Sequence, residues 1–237
     1  MRTLLISTLL LVPASYSLAA TTVSTAFGEV YADNAGKTLY TFTKDPLAQS
    51  VCYGECEKLW PPMWVDEEPD FELVTFDSAH SITRQDGRQQ WTLAGKPLYR
   101  WVKDSEPGDI SGAGVKGVWH LARADDVTLQ LLNDGTRRYL VDNNGLALYT
   151  FDKDKAGMSV CYGDCAVKWP PAYVEADLIS KGIENLRLTG GFGVIQRNDG
   201  TYQWAYKGQP LYRWFEDTLP GETKGDGVNN VWHLITQ

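Results

Sequence analysis

The 237-residue chain carries 22 lysines and arginines against 30 aspartates and glutamates, a formal net charge of −8. No basic cluster offsets that balance, so nucleic acid and anionic lipid surfaces are excluded as electrostatic partners. Beyond the N-terminus no run approaches the ~18 apolar residues of a membrane-spanning helix.

The first twenty residues, MRTLLISTLLLVPASYSLAA, have the form of a secretory signal peptide. Arg2 supplies the positive charge, Leu4–Val12 a short apolar core, and Ser17-Leu18-Ala19-Ala20 a small-residue cleavage site. The mature chain is expected to begin near Thr21, to be periplasmic or secreted, and to carry −9 once Arg2 is gone (−8 less one positive charge). No cysteine follows the cleavage region, so no lipid anchor is expected there.

From Thr21 onward the chain reads as short strands between glycine turns. "DNAGK" (33–37) leads into the strand "LYTFTKD" (39–45), and "VCYGECEKLWPP" (51–62) predicts a helical turn around Cys52–Trp60. "RQDGRQQWTLAGKPLYRWVKD" (84–104) reads as strand–turn–strand–turn–strand, because Asp-Gly between alternating runs supplies the positive φ of a tight turn. "EPGDISGAGVKGVWH" (106–120) is a glycine-rich acidic loop running into a Val-Trp-His strand. Every one of these elements then returns, with a further short helix near Ala176–Asn185.

The return is a duplication. Residues 37–62 match 146–171 at 15 of 26 positions with an offset of 109, and 84–104 match 197–217 with an offset of 113. Four motifs result: "LYTFTKD" (39–45), "LYRWVKD" (98–104), "LYTFDKD" (148–154) and "LYRWFED" (211–217). The fold expected is all-β, with two tandem homologous halves (21–124 and 125–237) of antiparallel meander sheets with short helical turns. A small four-bladed β-propeller is the alternative. The motif tyrosines are spaced 59, 50 and 63 residues apart, which fits a pair of pairs better than four equal blades.

These motifs, with Cys-Tyr-Gly-x-Cys…Trp-Pro-Pro and Pro-Gly…Gly…Val-Trp-His, resemble a secreted-repeat lipoprotein family marked by Tyr-x-[Phe/Trp/Tyr]-x-x-Asp. The resemblance covers nearly all of the mature chain and implies an exported repeat protein, with no activity attached. Many members resemble lipoproteins, whereas this sequence has no lipobox cysteine. The family pattern also carries an Asp where this chain has Ala113.

Four cysteines in an exported chain predict a disulfide framework. The duplication selects bridges within each copy, Cys52–Cys56 and Cys161–Cys165, as clasps that fix Trp-Pro-Pro against the sheet. Thioredoxin-type Cys-x-x-Cys is absent, and c-type haem attachment needs a histidine where Glu57 and Ala166 stand. A four-cysteine zinc site would require reduced thiolates in an oxidising compartment.

Tyr40 and Phe42, Tyr99 and Trp101, Tyr149 and Phe151, and Tyr212 and Trp214 stand at i and i+2, on one face of a strand, and are predicted core. Asp45, Asp104, Asp154 and Asp217 are expected to close each strand by accepting backbone N–H groups. Eight of nine tryptophans pair between halves (Trp60/Trp169, Trp91/Trp204, Trp101/Trp214, Trp119/Trp232), which points to packing over sugar stacking. Asp109, or Glu222 with Asp226, are the candidates for a calcium-type cation. His120 and His233 are the candidates for a transition metal or haem.

No Gly-x-Ser-x-Gly elbow, His-Glu-x-x-His pair or phosphate-binding glycine loop is present. The expected function is therefore a non-enzymatic binding or structural role in the cell envelope, with an envelope protein or small ligand as partner and no cofactor required. Metal or haem binding and disulfide-based redox chemistry are the alternatives.

Overall fold

A computed structural model describes residues 22–67, 69 and 79–237; the expected signal peptide, 1–20, lies outside the described residues. Strands β1 (Thr22–Thr25) and β2 (Gly28–Tyr31) form a hairpin. An Asx turn follows, in which Asp33 Oδ1 accepts from the Ala35 and Lys37 amides, and the chain returns through an Ala32–Thr38 bridge into β3 (Tyr40–Phe42). Strands β4 (Ala79–Thr83), β5 (Gln89–Leu93) and β6 (Lys96–Pro97) make the second meander, and β7 (Trp119–Leu121) pairs back on β3.

The second half repeats this order. Strands β8 (Gln130–Asn133) and β9 (Arg138–Val141) lead through a Val141–Ala147 bridge to β10 (Tyr149–Phe151). Strands β11 (Phe192–Gln196), β12 (Tyr202–Tyr206) and β13 (Gln209–Pro210) form the fourth meander, and β14 (Trp232–Leu234) pairs with β10. The helices described are short: α1 (Glu55–Leu59), α2 (Asp164–Lys168) and α3 (Ala176–Ser180). The fold is all-β with repeats, and among the described residues no sheet closes into a barrel. Among the described residues no helix is long and apolar enough to cross a membrane.

The second motif of each half departs from the expected strand. Tyr99 sits in isolated bridges to Tyr40 and Pro62, and Tyr212 likewise to Tyr149 and Pro171. The Trp-Pro-Pro segment runs alongside, with the Arg100 amide on Pro61 O (2.8 Å) and the Val102 amide on Leu59 O (3.2 Å). Proline cannot return a donor, so no regular ladder propagates there. The Tyr40–Tyr99 and Tyr149–Tyr212 bridges join the meanders two by two.

Each half is packed around a column of aromatic rings. Trp60 lies between Trp119 (3.8 Å between centroids, 5° between planes) and Trp101 (4.1 Å), and Phe42 caps Trp119 at 4.2 Å. Trp169, Trp232, Trp214 and Phe151 repeat the column. Gly112 and Gly225 make the columns possible, since an added Cβ would fall 2.8 Å from Trp60 and 2.9 Å from Trp169. The disulfides Cys52–Cys56 and Cys161–Cys165, each with 5.3 Å between Cα atoms, hold the segment that delivers the central tryptophan.

The largest core cluster draws residues from both halves, among them Phe27, Tyr40, Leu129, Leu140, Phe192 and Trp204. Phe27, in the first hairpin, stacks on Tyr206 (5.7 Å, 3°), and Arg138 Nη1 donates to Ile110 O at 2.7 Å. At the turn of that hairpin Gly28 meets Gly190, where a Cβ would fall 1.9 Å from the Gly28 nitrogen. The loop after α3 can reach the first half because a glycine stands at this contact.

Candidate functional site

The motif residues form cross-braces. The Tyr40 hydroxyl donates to Asp104 Oδ2 (2.5 Å) and the Tyr99 hydroxyl to Asp45 Oδ2 (2.6 Å). Tyr149 meets Asp217 (2.5 Å) and Tyr212 meets Asp154 (2.6 Å) in the same way. The second oxygen of each carboxylate holds the following loop by accepting the amide of Val51, Ser111, Val160 or Lys224. Burial raises the pKa of all four tyrosines, and it raises the carboxyl pKa of Asp45, Asp104 and Asp154. Both oxygens of every motif carboxylate are thus engaged by the protein itself.

Behind the cross-brace lies a buried arginine that sequence reasoning passed over. Arg84 Nη1 donates to Ser50 Oγ (2.7 Å) and Gln90 Oε1 (2.6 Å), and Nη2 to Cys52 O (2.7 Å) and Glu57 (2.8 Å). Ser50 touches the Tyr99 hydroxyl at 2.7 Å, so Asp45, Tyr99, Ser50 and Arg84 form one chain. Arg197 repeats it with Ser159, Gln203 and Cys161 O, while Ala166 stands where Glu57 does. The legible signal was polar identity between the copies: Ser50/Ser159, Arg84/Arg197 and Gln90/Gln203 coincide under the same two offsets.

The acidic loops anchor themselves. Asp109 accepts the Ser105 and Glu106 amides (both 2.9 Å), and these hydrogen bonds hold its carboxyl below the usual range. Glu222 accepts the Thr218 and Leu219 amides beside Lys224, which with those amides holds its carboxyl at about 2. Asp226 pairs with Arg137 (3.2 Å) and accepts the Leu234 amide. Among the described residues no three His, Cys, Asp or Glu side chains are grouped to hold a metal ion.

The paired histidines have unlike surroundings. His233, on β14, is exposed and its Nε2 lies 2.9 Å from Asp152 Oδ2. His120, on β7, faces the other half; its Nδ1 is buried without a partner among the described residues, and burial followed by the charge of Lys96 lowers its pKa to about 4. It lines a cleft of about 660 Å³ between the halves. One wall is β3, β7 and the β5–β6 turn with Lys96; the other is the Val127–Leu131 stretch, Leu140 and Phe192. A recess of about 390 Å³ continues it, and Thr43, His120, Gln130 and Asn143 line both. The linear sequence held no sign of this cleft, because it exists only where one half meets the other.

A family model for a secreted repeat of unknown function matches four segments, residues 21–63, 80–123, 133–173 and 193–236. The first, second and fourth segments take in β1–β3, β4–β6 and β11–β13 to within a residue at the start, and the third takes in β9 and β10. No curated protein and no solved structure matches the chain.

Proposed function

The chain belongs to the family of secreted repeats of unknown function, and from that membership we propose an exported, non-enzymatic binding module of the cell envelope whose ligand sits between the halves. The cleft carries the reading. A concave site of about 660 Å³, with mainly apolar walls and a few convergent polar groups, has the form of a small-molecule site. The four motif carboxylates, the obvious acid–base candidates, are all engaged in cross-braces, which favours binding over catalysis. The two disulfides fit an extracellular protein, and the periplasm is the compartment proposed.

The test is titration with N-phenyl-1-naphthylamine, an uncharged apolar fluorophore. Saturable enhancement at one site per chain is expected, and Gln130→Trp on β8, which fills the cleft, should abolish it. Enhancement that never saturates, or that survives Gln130→Trp unchanged, overturns the reading.

A further inference from the structure

The halves differ around one pair of equivalent histidines, and the second half shows what the first lacks there. His233 meets the Asp152 carboxylate, which lies one residue beyond β10. The offset of 109 places Thr43 at the corresponding position, so His120 has no such carboxylate. The offset of 113 pairs Gln209 with Lys96, a cation added on the cleft side. At these equivalent positions the first half has no carboxylate where the second has one, and a cation where the second has glutamine.

Two other charged groups lining the cleft are engaged by the protein itself, and Lys116 lines the recess that continues it. Arg123 holds Asp125 through two hydrogen bonds of 2.7 Å, and Asp45 is engaged by Tyr99 and the Val51 amide. Lys96 makes no ion pair among the described residues, yet it lies near enough to act on the His120 ring. Burial keeps that ring neutral at ordinary pH, with Nδ1 lacking any partner among the described residues. In the second half it is Nε2 of the equivalent ring that meets the carboxylate.

We infer that the cleft takes a small carboxylate with an apolar body. The carboxylate occupies, beside His120 and Lys96, the place Asp152 fills beside His233. The apolar part lies along Leu121, Leu129, Leu131 and Phe192, all of which line the cleft. This deepens the proposed function and rests on the cleft being a binding site.

The experiment is calorimetric titration of the mature chain with decanoate and 1-naphthoate, which separate a chain-like from a ring-like body, and with their uncharged amides. At least one acid should bind one per chain, with its amide about tenfold weaker, the scale of one lost charge-assisted hydrogen bond. Lys96→Gln should weaken the acid by a similar factor and leave the amide unchanged. Thr43→Asp should abolish acid binding by supplying an internal carboxylate. Both positions are exposed, and both variants install what the second half already carries, so folding is not at stake. Equal binding of acid and amide, or indifference to both substitutions, overturns the carboxylate assignment. Acids that fail while N-phenyl-1-naphthylamine still binds overturn it and leave the cleft standing; failure of that fluorophore as well removes both readings.

Discussion

The Tyr40 hydroxyl donates a 2.5 Å hydrogen bond to Asp104, 64 residues further along the chain. Tyr99 makes the reciprocal bond to Asp45, so each motif's hydroxyl serves the other motif's carboxylate. The bond is buried at both ends, and there its loss costs most, because the abandoned carboxylate keeps its desolvation penalty.

Tyr40→Phe is therefore expected to destabilise by roughly 1.5–3 kcal/mol, and Asp104→Asn by a similar amount. The double variant should cost clearly less than the sum, with a coupling of at least ~0.5 kcal/mol. Urea denaturation of the four proteins measures this, and simple additivity would show that the two groups do not depend on each other.

Arg84 presents two nitrogens to four acceptors, a geometry only a planar guanidinium satisfies. Arg84→Lys should cost on the order of 2–4 kcal/mol despite retaining the charge, since buried acceptors lose their donors. A variant within ~0.5 kcal/mol of the parent in chemical denaturation would remove Arg84 from the set of structural anchors.

Each disulfide closes a very small loop, so its effect on the unfolded chain is modest, about 2 kcal/mol. Cys52→Ser and Cys56→Ser should each lower stability by similar amounts, and the double variant by little more. Tryptophan fluorescence should report loosening of the Trp60 column in all three. Strongly additive losses would mean that the two side chains contribute separately and not as one clasp.

Acid should weaken the fold through His120. Its pKa is 6.5 when free and about 4 in place, so the unfolded chain takes up a proton that the folded chain refuses across that window. Its contribution is complete above about pH 6.5 and is lost as the pH falls toward 4. The raised carboxyls of Asp45, Asp104 and Asp154 act in the opposite sense, favouring the folded chain as acid is added. Comparison with His120→Gln isolates the histidine: between about pH 7 and 4.5 the variant should lose less stability than the parent, by up to about 3 kcal/mol. Parallel pH profiles would contradict this.

The all-β class, the duplication and the paired arrangement of motifs were legible because glycine turns, strand alternation and self-similarity are local or linear signals. The Tyr-x-aromatic spacing put each motif's pair on the core face: Tyr40 and Tyr99 are fully buried, whereas Phe42 and Trp214, expected beside them in the core, are only partly so. Their exchange of partners was not legible, for it depends on which loop closes over which strand. The departure at Tyr99 and Tyr212 was hidden for a related reason: the Trp-Pro-Pro segment that displaces a regular ladder lies some forty residues upstream. The histidines stood out as a pair, but their difference arises from Thr43, Asp152, Lys96 and Gln209, residues unremarkable until the halves are superposed on their contacts.

The exchange of hydroxyl and carboxylate between motifs also imposes a parity on this architecture. A chain holding an odd number of these motifs would bury one tyrosine and one aspartate with no counterpart. Lengthening, excision or permutation of such a protein should therefore succeed in steps of two meanders and fail in steps of one. The smallest unit that can be copied as a going concern is the braced pair.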